Sequence, residues 1–103
     1  MNNVHVENMT SPRTGKAVAN QFIIRTTEGR YFQSYDSVIA FIPNSLEIEQ
    51  NNTKIVLDRQ SWDYSKTTNK YRNIFLGEPK VVTQSKIDKG EYELSNLNSI
   101  SQN

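Results

Sequence analysis

One histidine, His5, and no cysteine limit the covalent and metal chemistry open to this chain. A metal at His5 would need carboxylates for every other ligand, outside the usual nitrogen and sulfur sets. A solvated histidine on an edge strand is the plainer reading. Asp58 and Asp63 stand five residues apart and could share a proton as a paired-carboxylate site. Aspartates at such boundaries more commonly cap turns. Ser11, Ser34, Ser37 and Ser65 have no base nearby in sequence. A nucleophilic serine would have to recruit His5 and a third positioning group as well. Gly15, Gly29, Gly77 and Gly90 are isolated, so no phosphate-cradling loop is present. Asn8-Met9-Thr10 and Asn51-Asn52-Thr53 fit the glycosylation sequon, which matters only in a secreted chain. These residues lead us to expect a protein that is not an enzyme and holds no metal or cofactor.

Two clusters could bind instead. The first is Arg25, Tyr31, Gln33 and Tyr35. Tyrosines beside an arginine on one sheet face can stack unpaired bases. Alternatively, helices cover that face and the rings join the core, with hydroxyls at the rim. The second cluster is Arg59, Trp62, Tyr64, Lys66, Lys70 and Arg72. Basic residues interleaved with aromatics suit a nucleic-acid contact or a protein hot spot. The competing reading has Trp62 plugging a strand-to-helix junction, with Lys66, Lys70 and Asn73 on an ordinary solvated helix face.

Residues 20–42 must position the first cluster. Their β-branched and aromatic runs, broken only at Glu28-Gly29 and Asp36-Ser37, predict strands at Gln21–Thr26, Arg30–Tyr35 and Val38–Ile42. A two-residue type I′ turn would force Glu28 to positive φ, so a three-residue loop with a left-handed Gly29 is expected. That loop pairs Ile24 with Phe32 and Phe22 with Ser34. Phe22, Ile24 and Phe32 then face the core, and Ile23, Arg25, Tyr31, Gln33 and Tyr35 face away. The third strand is apolar at both parities, as for a central strand covered on both faces.

The rest of the chain follows in order. Val4–Met9 reads as a short edge strand without Pro or Lys protection, able to pair with another chain. Residues 10–19 read as a loop. Leu46–Glu49 and Lys54–Asp58 flank Asn51-Asn52 as a second hairpin. Ser65 is a fitting N-cap for a helix over Lys66–Leu76, with Tyr71, Ile74 and Phe75 inward and Gly77 ending it. Pro79 suits the start of a thinner second helix ending near Lys89-Gly90. Glu91–Leu94 alternates like a last strand, and Ser95–Asn103 is expected to fray.

The sum is one α+β domain over residues 1–103, folded over about 4–94. A mostly antiparallel sheet of about five strands packs with one or two short helices in the C-terminal half. Mean hydropathy of −0.70 implies an economical core, and a net charge of +1 argues against both an acidic nucleic-acid mimic and a strongly basic binder. Neither a signal peptide nor a membrane span is expected.

A resemblance adds a setting. Asn8-Met9-Thr10-Ser11, Val18 to Ile24, Tyr31 to Tyr35, Trp62 to Ser65 and Gly90 to Leu94 resemble small proteins encoded by tailed phages and prophages of low-GC bacteria. The likeness spans most of Asn8–Leu97, and Pro43–Asn52 is longer here than in that group. It implies a genomic setting and carries no site residues across; with neither a signal peptide nor a span expected, the host cytoplasm is the expected location. The leading expectation is an accessory protein that binds a host or phage protein, with inhibition of a host defence system as one mode of action. A nucleic-acid-binding module on either cluster is the alternative, and a small-ligand domain comes third. Homo-oligomers are open on this reading.

Overall fold

The computed structural model describes residues 3–44 and 54–98. Its elements are β1 (His5–Thr10), β2 (Ala17–Arg25), β3 (Gly29–Ser34), β4 (Ser37–Pro43), β5 (Ile55–Asp58), α1 (Lys66–Leu76), α2 (Lys80–Asp88) and β6 (Tyr92–Ser95). They form one six-stranded sheet in the order β1-β2-β3-β4-β5-β6, with two helices in the C-terminal half. The first four pairings are antiparallel and β5–β6 is parallel. A parallel pair needs a long crossover, and both helices sit in it. The expected α+β class holds. The first arm of the expected second hairpin, Leu46–Glu49, falls outside the described residues, and its second arm is β5. Of the expected 10–19 loop, residues from Ala17 onward belong to β2.

The β2–β3 hairpin differs from expectation by one residue. Ile23 faces Phe32, Phe22 faces Gln33 and Arg25 faces Arg30. The loop is the two residues Thr27-Glu28, closed by the Thr26 N–H donating to the Gly29 carbonyl at 2.8 Å. Across the turn, the Thr26 hydroxyl accepts from the N–H groups of Glu28 (3.1 Å) and Gly29 (3.3 Å). The side chain thus does part of the backbone's work, and Glu28 is spared a positive φ. Glycine is still required at 29, mainly for space. A Cβ there would lie 2.3 Å from the Ile42 carbonyl oxygen and 2.9 Å from the Phe41 ring.

A one-residue slip exchanges faces. Ile23, Phe32, Ala40, Leu57 and Leu94 form one row across β2 to β6, beneath the helices. Phe22 and Ile24, expected in that row, take the opposite face. A bulge in the β3–β4 ladder after Phe32 turns Ile39 inward beside Ala40, both fully buried, and leaves Val38 opposite Gln33. A left-handed Asn20 (φ 65°) does the same for β2, so that Val18 and Ile23 both pack on the core.

Helix α1 is capped at both ends. The Ser65 hydroxyl accepts from the Thr68 N–H at 3.2 Å, and Gly77 closes a Schellman motif with Glu78 N–H donating to the Asn73 carbonyl at 3.1 Å. Its inward face is Thr68, Tyr71, Arg72 and Phe75. Phe75 stacks on Phe32 with ring centroids 5.7 Å apart. Ile74, expected inward, is 44% exposed, because Arg72 takes the inner position beside Trp62. Helix α2 contributes Thr83 and Ile87. Residues 95–98 do not fray: Ser95 ends β6, Leu97 N–H donates to Asp58, and the Asn98 amide pairs with both backbone groups of Val38.

Candidate binding surface

The sheet face away from the helices carries a second complete row. Val6, Ile24, Tyr31, Phe41, Val56 and Glu93 follow one another across all six strands, neighbour opposite neighbour. Beside it runs Asn8, Phe22, Gln33 and Val38. Tyr31 and Phe41 lock together, their rings tilted at 35° with centroids 4.5 Å apart. Burial raises the Tyr31 phenol above its ordinary pKa, with a smaller contribution from Glu28, so it stays neutral at physiological pH. Val6 is 56% exposed, and the other six apolar members of the two rows are half-buried. No helix among the described residues covers this face. None of the positions in either row is Lys or Arg.

This arrangement takes the Arg25–Tyr31–Gln33–Tyr35 cluster apart. Tyr31 and Gln33 lie on the open face. Arg25 alternates to the helix side, where its Nε donates to Glu7 at 2.8 Å. That hydrogen bond, and the attraction between the two charges, lower the Glu7 carboxyl and raise the Arg25 guanidinium. Tyr35 leaves the ladder altogether. It sits at φ 55° in the β3–β4 turn, half exposed, with its N–H donating to Asn20 and its carbonyl accepting from Gln33. The expected stacking platform is not assembled, because the hairpin register puts its arginine and its tyrosine on different faces.

The second cluster divides by burial. Arg72 is fully buried with its guanidinium 5.1 Å from the Trp62 ring centroid, and it donates to the Trp62 carbonyl, Asn69 and Asn73. Burial lowers its pKa, against the pull of Asp63 and Glu78. Trp62 and Arg72 are the junction plug, held by cation–π contact and backbone hydrogen bonding. Arg59 donates to the Leu94 carbonyl at 3.1 Å. Lys66 and Lys70 are solvated, the latter over the Tyr71 ring. Tyr64, at 69% exposed, lines a cleft of about 560 Å³ with Tyr35, Asp36, Ile39 and Ser65. Of this cluster, only Tyr64, Arg59 and the two lysines remain available to a partner.

The carboxylates the sequence offered for chemistry are held in separate hydrogen-bond sets. Asp58 is 2% exposed and accepts from the Ser61 N–H and hydroxyl and from the Leu97 N–H. Burial alone would raise it, but these hydrogen bonds hold it below the ordinary carboxylate range. Asp63 is paired with Lys80 and Asn69 and is likewise lowered. A third acid escaped notice in the sequence. Glu78 joins Thr83 (2.7 Å), Tyr92 (2.8 Å) and Lys86 (2.8 Å), tying the α1–α2 turn to β6. Burial opposes its ionisation and the three donors outweigh that, so its carboxyl is lowered. Tyr92 is raised by burial and by that carboxylate. Nothing in the spacing of residues 78, 83, 86 and 92 announces a network, since helix geometry and a crossover assemble it. Among the described residues, no three His, Asp or Glu side chains converge as metal ligands, and no helix is long and apolar enough to cross a membrane.

Fold and surface together define a sheet-and-helix protein whose described residues leave one sheet face covered by helices and the other open. The chain belongs to the family of unknown function DUF8033, whose model matches residues 4–93. No curated protein and no solved structure matches it.

Proposed function

We propose that this chain is a non-enzymatic accessory protein of the phage type, which acts in the host cytoplasm by docking a host or phage protein on the open face of its sheet. One observation carries the reading: the row Val6, Ile24, Tyr31, Phe41 and Val56 runs across five strands without a basic residue. A half-solvated antiparallel sheet ordinarily alternates apolar-in with polar-out. A contiguous apolar face marks an interaction site instead. Phosphate recognition needs Lys or Arg and protein recognition does not, so the face suits a protein partner. The rings of Phe22, Tyr31 and Phe41 are the anchor types that dominate protein interfaces.

The test is capture of a partner from extract of the bacterial host by the immobilised full chain. The expected result is a protein retained after nuclease treatment and lost with Phe41→Glu, while Lys70→Glu still captures it. Capture that disappears with nuclease, or that Phe41→Glu leaves unchanged, overturns the reading.

A further inference from the structure

The two edges of the sheet are finished differently. At one end β6 has four residues, and the Arg59 guanidinium already occupies the Leu94 carbonyl. At the other end β1 has six residues and, among the described residues, only β2 as a neighbour. No Pro or Lys interrupts it, and Val6 (56%) within it and Val4 (59%) just before it are exposed. Natural sheets ordinarily blunt such an edge.

The regular part of β1 is short and symmetric in its chemistry. His5, Val6, Glu7 and Asn8 follow β2 in unbroken register, and the ladder shifts only after Asn8. With Val4, which directly precedes β1, they make five positions centred on Val6. A second copy running antiparallel about Val6 brings Val6 opposite Val6, Val4 opposite Asn8, and His5 opposite Glu7 twice. Shifting the centre to His5 or to Glu7 would instead set like residues, His against His or Glu against Glu, across the seam. An imidazole N–H can donate to a carboxylate directly opposite it, whereas two carboxylates opposite each other repel. Glu7 keeps its Arg25 partner on the same side of the sheet, so His5 of the second copy completes the set around that carboxylate.

We propose that β1 is a homodimer edge: two chains pair antiparallel through Val4–Asn8 about a two-fold axis at Val6, making one twelve-stranded sheet. The open rows then join at Val6, and the apolar face doubles in length. A contact this small falls in the weak, transient class, under about 1,200 Å². Dimerisation is accordingly expected in the micromolar range and reversible on dilution. This inference is independent of the partner-docking reading, which uses the face and not the edge.

Sedimentation velocity on the full chain over a concentration series tests it, with circular dichroism confirming that each variant is folded. The wild type is expected to move from one-chain to two-chain mass. His5→Glu places Glu opposite Glu and is expected to abolish the shift, and the double variant His5→Glu with Glu7→His restores it. A wild type that stays a monomer throughout overturns the proposal, as does a double variant no better than His5→Glu. Loss of the dimer with Phe41→Glu but not with His5→Glu would overturn it in favour of face-to-face stacking. Partner capture, by contrast, responds to Phe41→Glu and not to His5→Glu, so the two readings fail separately.

Discussion

Gln21 shows how a single side chain can be held against its own preference. It is fully buried opposite Ser34, and neither its amide nitrogen nor its amide oxygen has a hydrogen-bond partner. Its neighbour Ser34 has satisfied its hydroxyl with Thr68 of α1, at 2.8 Å. An unsatisfied buried amide costs about 1–3 kcal/mol, and an apolar group of the same shape avoids that penalty. Gln21→Met is therefore expected to stabilise the protein by about 1 kcal/mol, read as a higher urea midpoint at unchanged slope. A lower midpoint would mean that the amide is hydrogen-bonded in solution. The sequence offered no hint of this, because Gln21 reads there as the polar start of a strand.

At the scale of elements, the β2–β3 hairpin decides the most. Its turn could be built in two ways, and the choice rested on which one spares Glu28 a positive φ. Both do so once the Thr26 hydroxyl accepts the turn's N–H groups. The shorter loop wins, and with it every side chain of β2 changes face relative to β3. Gly29 is the pivot for a tertiary reason: β4 passes so close that a methyl group would sit inside the Ile42 carbonyl. Gly29→Ala is expected to cost at least about 2 kcal/mol, since relief requires moving backbone rather than a rotamer. Urea unfolding measures it, and a loss under 0.5 kcal/mol, about the scatter of an innocuous surface change, would show that β3 and β4 separate easily there. Helix α1, in contrast, was legible to the residue. Its cap, its Schellman glycine and its inward Tyr71 and Phe75 are all local chemistry, and only Ile74 and Arg72 were misplaced.

The molecule as a whole is tied by ionised carboxylates at the crossover. Asp58 holds the C-terminal residues to the end of β5, and Glu78 holds the helical turn to β6. Both carboxyls are lowered in the fold. The unfolded chain therefore binds their protons first as pH falls. The stability they contribute is fully present above their unfolded pKa values of about 4. It is lost as pH drops from there through the lower folded values. Urea midpoints are expected to be flat from pH 7 to 5 and to fall below about pH 4. Asp58→Asn should lower the midpoint at pH 7 and flatten that acid slope, because its amide cannot accept from all three donors. An unchanged slope would place the acid sensitivity elsewhere. The Asp58 tie explains why residues 95–98, mostly polar in sequence, are anchored to the sheet.

What this chain carries in one dimension is which stretches form strands and helices, together with the class of fold, though β2 begins at Ala17, inside the expected loop. Those depend on capping, turn chemistry and apolar periodicity over a few residues. What three dimensions alone decided is which side of the sheet each ring occupies. In β-structure that follows from register, and register was fixed by a threonine hydroxyl, a left-handed Asn20, a bulge at Ile39 and the close passage of β4 over Gly29. A shift of one position costs little locally and reverses both faces. It is why Arg25 and Tyr31 part company, and why an apolar row lies open across the sheet.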